Sequence, residues 1–150
     1  MKIFELKTPE ETTEFGIKLG KILKEKDIIC LTGDLGAGKT HLTKGIAIGL
    51  EIEEDITSPT FTIVHEYEGR LALYHFDVYR ICDSSEMYEI GFDDYLFGNG
   101  VSIIEWANLV EDLIPEEAIQ IELKYKEVGR ELIMSGLGKR FEEIVEEVSK

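Results

Sequence analysis

The sequence predicts an α/β domain with three layers around a mixed, mainly parallel central sheet, and three observations predict it. Gly33-Asp34-Leu35-Gly36-Ala37-Gly38-Lys39-Thr40 fits G-x-x-x-x-G-K-[ST], the phosphate-binding loop, at every fixed position. Its flanks agree. Ile28-Ile29-Cys30-Leu31 is an apolar run suited to a buried parallel strand, and Leu42, Ile46 and Leu50 then recur at helical spacing. Residues 61–67 and 71–78 are strand-like runs joined at Glu68-Gly69-Arg70, which reads as a β-hairpin and makes the sheet mixed. A glycine-rich turn matching by chance would lack the strand and the helix on either side. The reading is one P-loop nucleotide-binding domain over residues 1–150.

Taken in order, residues 3–6 predict a first short strand. Thr8-Pro9-Glu10-Glu11 opens a helix, with Thr8 as N-cap, Pro9 at the first helical position and Glu11 three residues after the cap. Phe15, Leu19, Ile22 and Leu23 supply its apolar stripe. The core strand, the loop and a helix from Lys39 to about Leu50 follow. Residues 51–57 are acidic and irregular, and Pro59 biases Ser58 away from helix. After the hairpin, residues 84–90 predict a short helix capped by Asp83 or Ser84. Residues 91–100 read as loop, carrying Asp93, Asp94 and three aromatics. Val101-Ser102-Ile103-Ile104 is another apolar run, ending abruptly at Glu105-Trp106. Ile119, Ile121, Leu123 and Tyr125 alternate with polar residues, a strand with one wet face. Residues 131–134 pair with it across Val128-Gly129-Arg130. Leu137, Phe141, Ile144, Val145 and Val148 form the stripe of a closing helix.

Composition bounds the function. An apolar fraction of 43% suits an α/β domain, and no stretch approaches the length of a membrane span. No signal peptide is read at the start, and the two cysteines point to a cytoplasmic, reducing setting. Cys30, in the core strand, is expected as a buried free thiol. The net charge is −15, with four arginines: Arg70, Arg80, Arg130 and Arg140. So acidic a surface repels phosphate backbones, which argues against direct nucleic-acid binding as the main task. A nucleotide with its magnesium can still be held, because the loop supplies its own positive field.

The loop's spacing has a physical reason. Glycines let the backbone curl so that successive N–H groups point at polyphosphate oxygens, and the following helix adds the positive end of its dipole. Lys39 reaches the outer phosphates, and the Thr40 hydroxyl takes one corner of a magnesium ion. The His41 backbone N–H comes next in line. Two carboxylates narrow the chemistry. Asp77 closes Leu73-Tyr74-His75-Phe76 and Glu105 closes the later apolar run, and ligands of open α/β sheets sit at such carboxyl ends. One acid would help Thr40 hold magnesium and the other orient the attacking water. For either acid alone, a strand-end cap paired with a lysine is the plain alternative. Ser58-Pro59-Thr60 stands where many nucleotidases carry a switch, although the triplet is also ordinary turn chemistry. His65 and His75 read as sheet residues, and the three histidines have no metal-ligand spacing.

The phosphate loop, then Ser58-Pro59-Thr60-Phe61-Thr62, His75-Phe76-Asp77-Val78-Tyr79-Arg80 and Ile104-Glu105-Trp106, occur in this order. The combination resembles the TsaE (YjeE) family of small bacterial ATPases over essentially the whole chain. The resemblance implies an ATPase required for threonylcarbamoyladenosine modification of tRNAs that read codons beginning with A. It implies work with the transferase TsaD and its partner TsaB, at or near their heterodimer, with tRNA met only through the complex. ATP and Mg2+ are the implied cofactors. By position, Gly33, Leu35, Gly36, Ala37, Gly38 and Lys39 hold the phosphates, and Thr40 and Glu105 hold magnesium. Asp77 takes the Walker B-like place needed for hydrolysis, so Lys39, Asp77 and Glu105 are the residues expected to carry catalysis. Pro9 and Gly129-Arg130 match family positions near the nucleotide. His41 stands where the family usually has a second threonine, which leaves the backbone contact intact. Ala107 stands where a proline is common, which touches loop shape alone. A small-molecule kinase on the same loop is the alternative. Such kinases close an arginine-rich lid, and four scattered arginines supply little for one. A guanine-reading switch would need Asn-Lys-x-Asp and Asp-x-x-Gly, and neither occurs.

Overall fold

The computed structural model describes residues 1–33, 38–56, 64–78, 87 and 91–150. Asp34, Leu35, Gly36 and Ala37 of the phosphate loop lie outside them, as do Ser58-Pro59-Thr60-Phe61-Thr62, Tyr79, Arg80, Cys82 and, apart from Met87, the helix expected at 84–90.

Among the described residues, one sheet contains seven strands: β1 (Lys2–Leu6), β2 (Ile28–Gly33), β3 (Val64–Tyr67), β4 (Ala72–Asp77), β5 (Gly100–Glu105), β6 (Ile119–Tyr125) and β7 (Arg130–Ser135). Their spatial order is β1-β7-β6-β2-β5-β4-β3. The central four, β6, β2, β5 and β4, pair in parallel. The outer pairs, β1–β7, β7–β6 and β4–β3, are antiparallel. Only β3 and β7 of the seven are therefore reversed, and the sheet is mixed and mainly parallel, with the expected hairpin at one edge. Helices α1 (Pro9–Ile22), α2 (Lys39–Gly49), α3 (Phe92–Leu96) and α4 (Gly138–Val148) flank it, with a short 3-10 helix, η1 (Ala107–Leu113).

The apolar run of β2 explains its central place. Ile28, Ile29, Cys30 and Leu31 are all buried, and burying an aliphatic side chain of this size contributes about 1.5–3 kcal/mol. A strand apolar on both faces needs cover on both. Alternation along the strands sorts the side chains into two cores. Ile29, Leu31, Leu73, Val101 and Ile103 join Phe15, Leu19, Leu42, Ile46 and Ile144 under α1, α2 and α4. Ile28, Cys30, Phe76 and Ile104 join Phe92, Leu96, Ala107 and Val110 under α3 and η1. Those are the three layers. Cys30 is the expected buried free thiol, and burial pushes its pKa up to about 12.

Local chemistry starts α1 at the expected place. Thr8 Oγ1 accepts from the Glu11 N–H at 3.1 Å, and the Glu11 carboxylate accepts from the Thr8 and Lys7 N–H groups, a full capping box. Arg70, from the hairpin turn, closes the other end by donating to Gly20 O at 2.8 Å and Leu23 O at 3.2 Å. The packing of α1 on α2 is closer than an apolar stripe implies. Both helices carry glycines four apart, Gly16 and Gly20 against Gly45 and Gly49. A Cβ on Gly45 would stand 2.3 Å from Thr13 O, and one on Gly49 would stand 2.4 Å from Ile17 O. The two backbones touch, which holds the start of α2 where the loop enters it.

Three expectations are corrected. Residues 91–100 are not all loop. Phe92 and Leu96, one turn apart, bury their side chains, and the Phe92 ring stands edge-on to Phe76 at 5.1 Å, so α3 forms there. Beyond Trp106 the chain turns into η1 rather than loop. Leu137 lies outside the stripe of α4: it is the N-cap residue and 66% exposed. Among the described residues, no helix is long and apolar enough to cross a membrane.

Candidate functional site at the carboxyl ends of the central strands

The chain leaves β2 at Gly33 and re-enters described structure at Gly38, the N-cap of α2, whose φ of 105° suits glycine. Among the described residues no side chain caps α2, and an uncapped helix start presents N–H groups and a dipole that suit an anion. Lys39 is the first residue of that helix, and although a lysine it is only 7% exposed. Its Nζ donates to Gly33 O at 3.2 Å and stands 4.3 Å from the centre of the Trp106 ring. Thr40, beside it, is exposed. The ammonium thus lies back across the start of its own loop.

Register brings the two strand-end acids side by side. Asp77 of β4 is opposite Glu105 of β5, which is opposite Leu31 of β2. Alternation from Leu73, Val101 and Ile103 turns both acids to the α2 face. Asp77 is half-buried, whereas Glu105 is 5% exposed. The Glu105 backbone is held from both neighbours. Val78 N donates to Glu105 O at 3.3 Å, and Trp106 N donates to Leu31 O at 3.1 Å. Directly after it, Trp106 adopts φ 63°, left-handed and uncommon for a bulky residue.

One residue read as plain sheet belongs to this site. His75 Nε2 donates to Glu105 Oε2 at 2.6 Å, inside the structure. The signal for it was the period of two, since His75 and Asp77 must share a face of β4.

Among the described residues, no group of three or more His, Cys, Asp or Glu side chains could hold a metal. Magnesium needs no such cage. It takes one or two protein oxygens and completes its shell with phosphate and water. The Thr40 hydroxyl and the Glu105 carboxylate are hard oxygen donors of that kind. Among the described residues no lysine or arginine pairs with Glu105, so its charge stays available. The donor set fits magnesium.

A cavity of about 210 Å³ opens beside the start of α2, lined by Thr8, Pro9, Gly38, His41, Gly129 and Arg130 among others. The antiparallel pairing of β1 with β7 makes it, because Leu6 sits opposite Arg130 and brings the turn before α1 against the turn before β7. Pro9, His41 and Gly129-Arg130, far apart in sequence, therefore meet here. Arg130 donates to Gly129 O at 2.8 Å and lies 4.4 Å over the Tyr125 ring. A larger groove of about 920 Å³ borders Gly33 and Trp106 from the other face of the sheet, along Glu111, Gln120 and Glu122.

Known proteins share this sequence and this fold. A family model described as "Threonylcarbamoyl adenosine biosynthesis protein TsaE" matches residues 6–132, from the end of β1 into β7. The chain belongs to the TsaE family. The Bacillus subtilis tRNA threonylcarbamoyladenosine biosynthesis protein TsaE is 46% identical over 144 residues, 95% of this chain and 90% of that protein. The Treponema pallidum TsaE is 42% identical over 118 residues, 79% of this chain and 87% of that protein. The crystal structure of Bacillus subtilis YdiB superposes with a TM-score of 0.82 at 41% identity, covering 99% of this chain and 93% of that one. The TsaE family's role is in tRNA threonylcarbamoyladenosine biosynthesis.

Proposed function

We propose that this TsaE protein is a magnesium-dependent ATP hydrolase of the cytoplasm, and that it serves the transfer of threonylcarbamoyl to adenosine in tRNAs reading codons that begin with A. Its partners in that task are TsaD and TsaB, and it meets tRNA through them. The observation that carries the reading is the meeting, at one end of the sheet, of Lys39 at the uncapped start of α2 with the in-register pair Asp77 and Glu105.

Each group has a part in phosphoryl transfer to water. The N–H groups at the start of α2 receive phosphate oxygens. The Lys39 ammonium exchanges the Gly33 carbonyl and the Trp106 ring for the outer phosphates. Thr40 and Glu105 would hold magnesium, which when bound draws charge off the phosphates. Asp77, next to Glu105, orients the water. The cavity beside Pro9 and Arg130 is smaller than the roughly 300 Å³ at which whole-ligand sites begin, so it takes only one part of the nucleotide.

Asp77→Ala tests the reading. The variant should bind ATP as the parent does and hydrolyse almost none, and it should fail to support the modification. Binding and turnover falling together would make Asp77 structural. Arg80 is the lone arginine within a motif, and a positioned arginine is worth about 10³–10⁵ in such reactions. Hydrolysis by the chain alone should therefore be slow and respond to TsaD and TsaB, and an isolated protein as fast as the assembly would sink the partner role.

A further inference from the structure

We propose that His75 is a positioning residue that presents the Glu105 carboxylate to a divalent cation on the phosphates of bound nucleotide. This rests on the magnesium-nucleotide reading above and adds to it the group that aims the metal ligand.

His75 is 1% exposed and lies on the face of β4 that carries Leu73 into the main core. Its register partner on β5 is Ile103. An apolar side chain would suit those neighbours, and a buried imidazole costs free energy unless its polar atoms are satisfied. Only one of them is. Nε2 meets Glu105, while Nδ1 is buried with no hydrogen-bond partner among the described residues. Core packing therefore gives no reason for a histidine here, and Glu105 does.

The geometry defines what His75 does. Glu105 is two residues beyond Ile103, so it is the diagonal neighbour of His75 on the same face, within reach of long side chains. A carboxylate only accepts, so Nε2 carries the proton of this bond. That bond occupies Oε2 and stops the side chain from rotating. Oε1 is left with its lone pairs unused by His75. Hydrogen bonding of this kind orients metal-ligating carboxylates, and its loss typically costs about 10–100-fold in metal affinity.

His75→Gln and His75→Asn separate this role from packing. Both put an amide in the core, but only glutamine places an N–H near the position of Nε2. Calorimetric titration of the full chain with ATP, with and without magnesium, gives the factor by which the metal tightens binding. His75→Asn should cut that factor about tenfold and leave metal-free affinity unchanged. His75→Gln should keep most of it. In a Glu105→Gln background, His75→Asn should have no further effect on the factor. Equal behaviour of the two variants, or metal-free and metal-bound affinities falling in parallel with the melting temperature, would overturn the positioning role. So would ring-nitrogen chemical shifts of the parent protein showing an Nδ1–H tautomer, whatever the variants do. If the parent binds ATP no more tightly with magnesium than without, the magnesium-nucleotide reading fails and takes this inference with it. A parent that gains from the metal while His75→Asn keeps the whole gain overturns the inference alone.

Discussion

Lys39 is a buried cation with two provisional partners, and magnitudes say which contact wins when phosphate arrives. A cation over an aromatic face contributes about 0.5–1 kcal/mol at exposed sites and about 2 when desolvated, against about 1.5–3 kcal/mol for a charge-assisted hydrogen bond. Phosphate oxygens, charged and more than one, should draw the ammonium off Trp106. The emission of Trp106, the chain's single tryptophan, should therefore change on adding magnesium nucleotide and respond little to magnesium alone. Glu105→Ala should shrink the change. Flat emission while nucleotide demonstrably binds would disprove the exchange. Lys39→Ala should weaken ATP binding about tenfold or more, with or without metal. Thr40→Ala should matter chiefly when magnesium is present, and equal losses in both conditions would mean Thr40 is no ligand. Cys30 gives a pH signature. Its pKa is raised in the folded chain from 9.0 to about 12 by burial, so the folded state holds the proton more tightly than the unfolded one. That contribution to stability is fully present below pH 9 and is lost as pH rises towards 12. Cys30→Ala should start less stable at neutral pH, from the cavity it leaves, and the gap to the parent should narrow above pH 9 in denaturant titrations.

At the scale of elements, the pairing of α1 with α2 is the most constrained contact. Adding a methyl group at Gly49 gains about 0.5–1 kcal/mol of helix propensity. It also drives a Cβ to 2.4 Å from Ile17 O, and overpacking of this sort costs about 1–3 kcal/mol. The clash is with backbone, which cannot rotate away, so the cost should win. Gly49→Ala should lower the denaturation midpoint, and because α2 carries Lys39 and Thr40, it should weaken nucleotide binding too. A midpoint that rises would show that the helices can part without penalty. Elements were legible in the sequence where they announce themselves locally. Thr8, Pro9 and Glu11 state a helix start in four residues, and the capping box forms as read. The hairpin around Glu68-Gly69-Arg70 forms as read over its described residues, with Val64–Tyr67 paired to Leu73–Phe76. Helix α3 was not legible, because five residues are too few for a 3.6 period to show, and burial of Phe92 and Leu96 beside Phe76 stabilises it.

Across the whole molecule, strand order assembles the site. Placing β5 between β2 and β4 sets Leu31, Glu105 and Asp77 in one row, and placing β7 beside β1 carries Gly129-Arg130 to Pro9. The far end is tied separately, by Arg140 of α4, whose guanidinium bonds Asp27 at 2.6 Å and Ile22 O at 2.8 Å.

What the sequence determined by itself was everything written in consecutive residues. That includes the strand and helix that flank the glycine-rich motif, the cap of α1, the alternation of β6, the acids closing β4 and β5, and a likeness to the TsaE family that the relatives bear out. Tertiary structure decided the pairings. His75 and Glu105 are 30 residues apart, and nothing in either strand names the other as its neighbour. The same holds for Lys39 and Trp106, for Pro9 and Arg130, and for the four glycines between α1 and α2. A periodic pattern tells which face of an element is buried. Strand order and register tell what that face meets, because a shift of one residue would have turned Glu105 from His75 to the opposite side of the sheet.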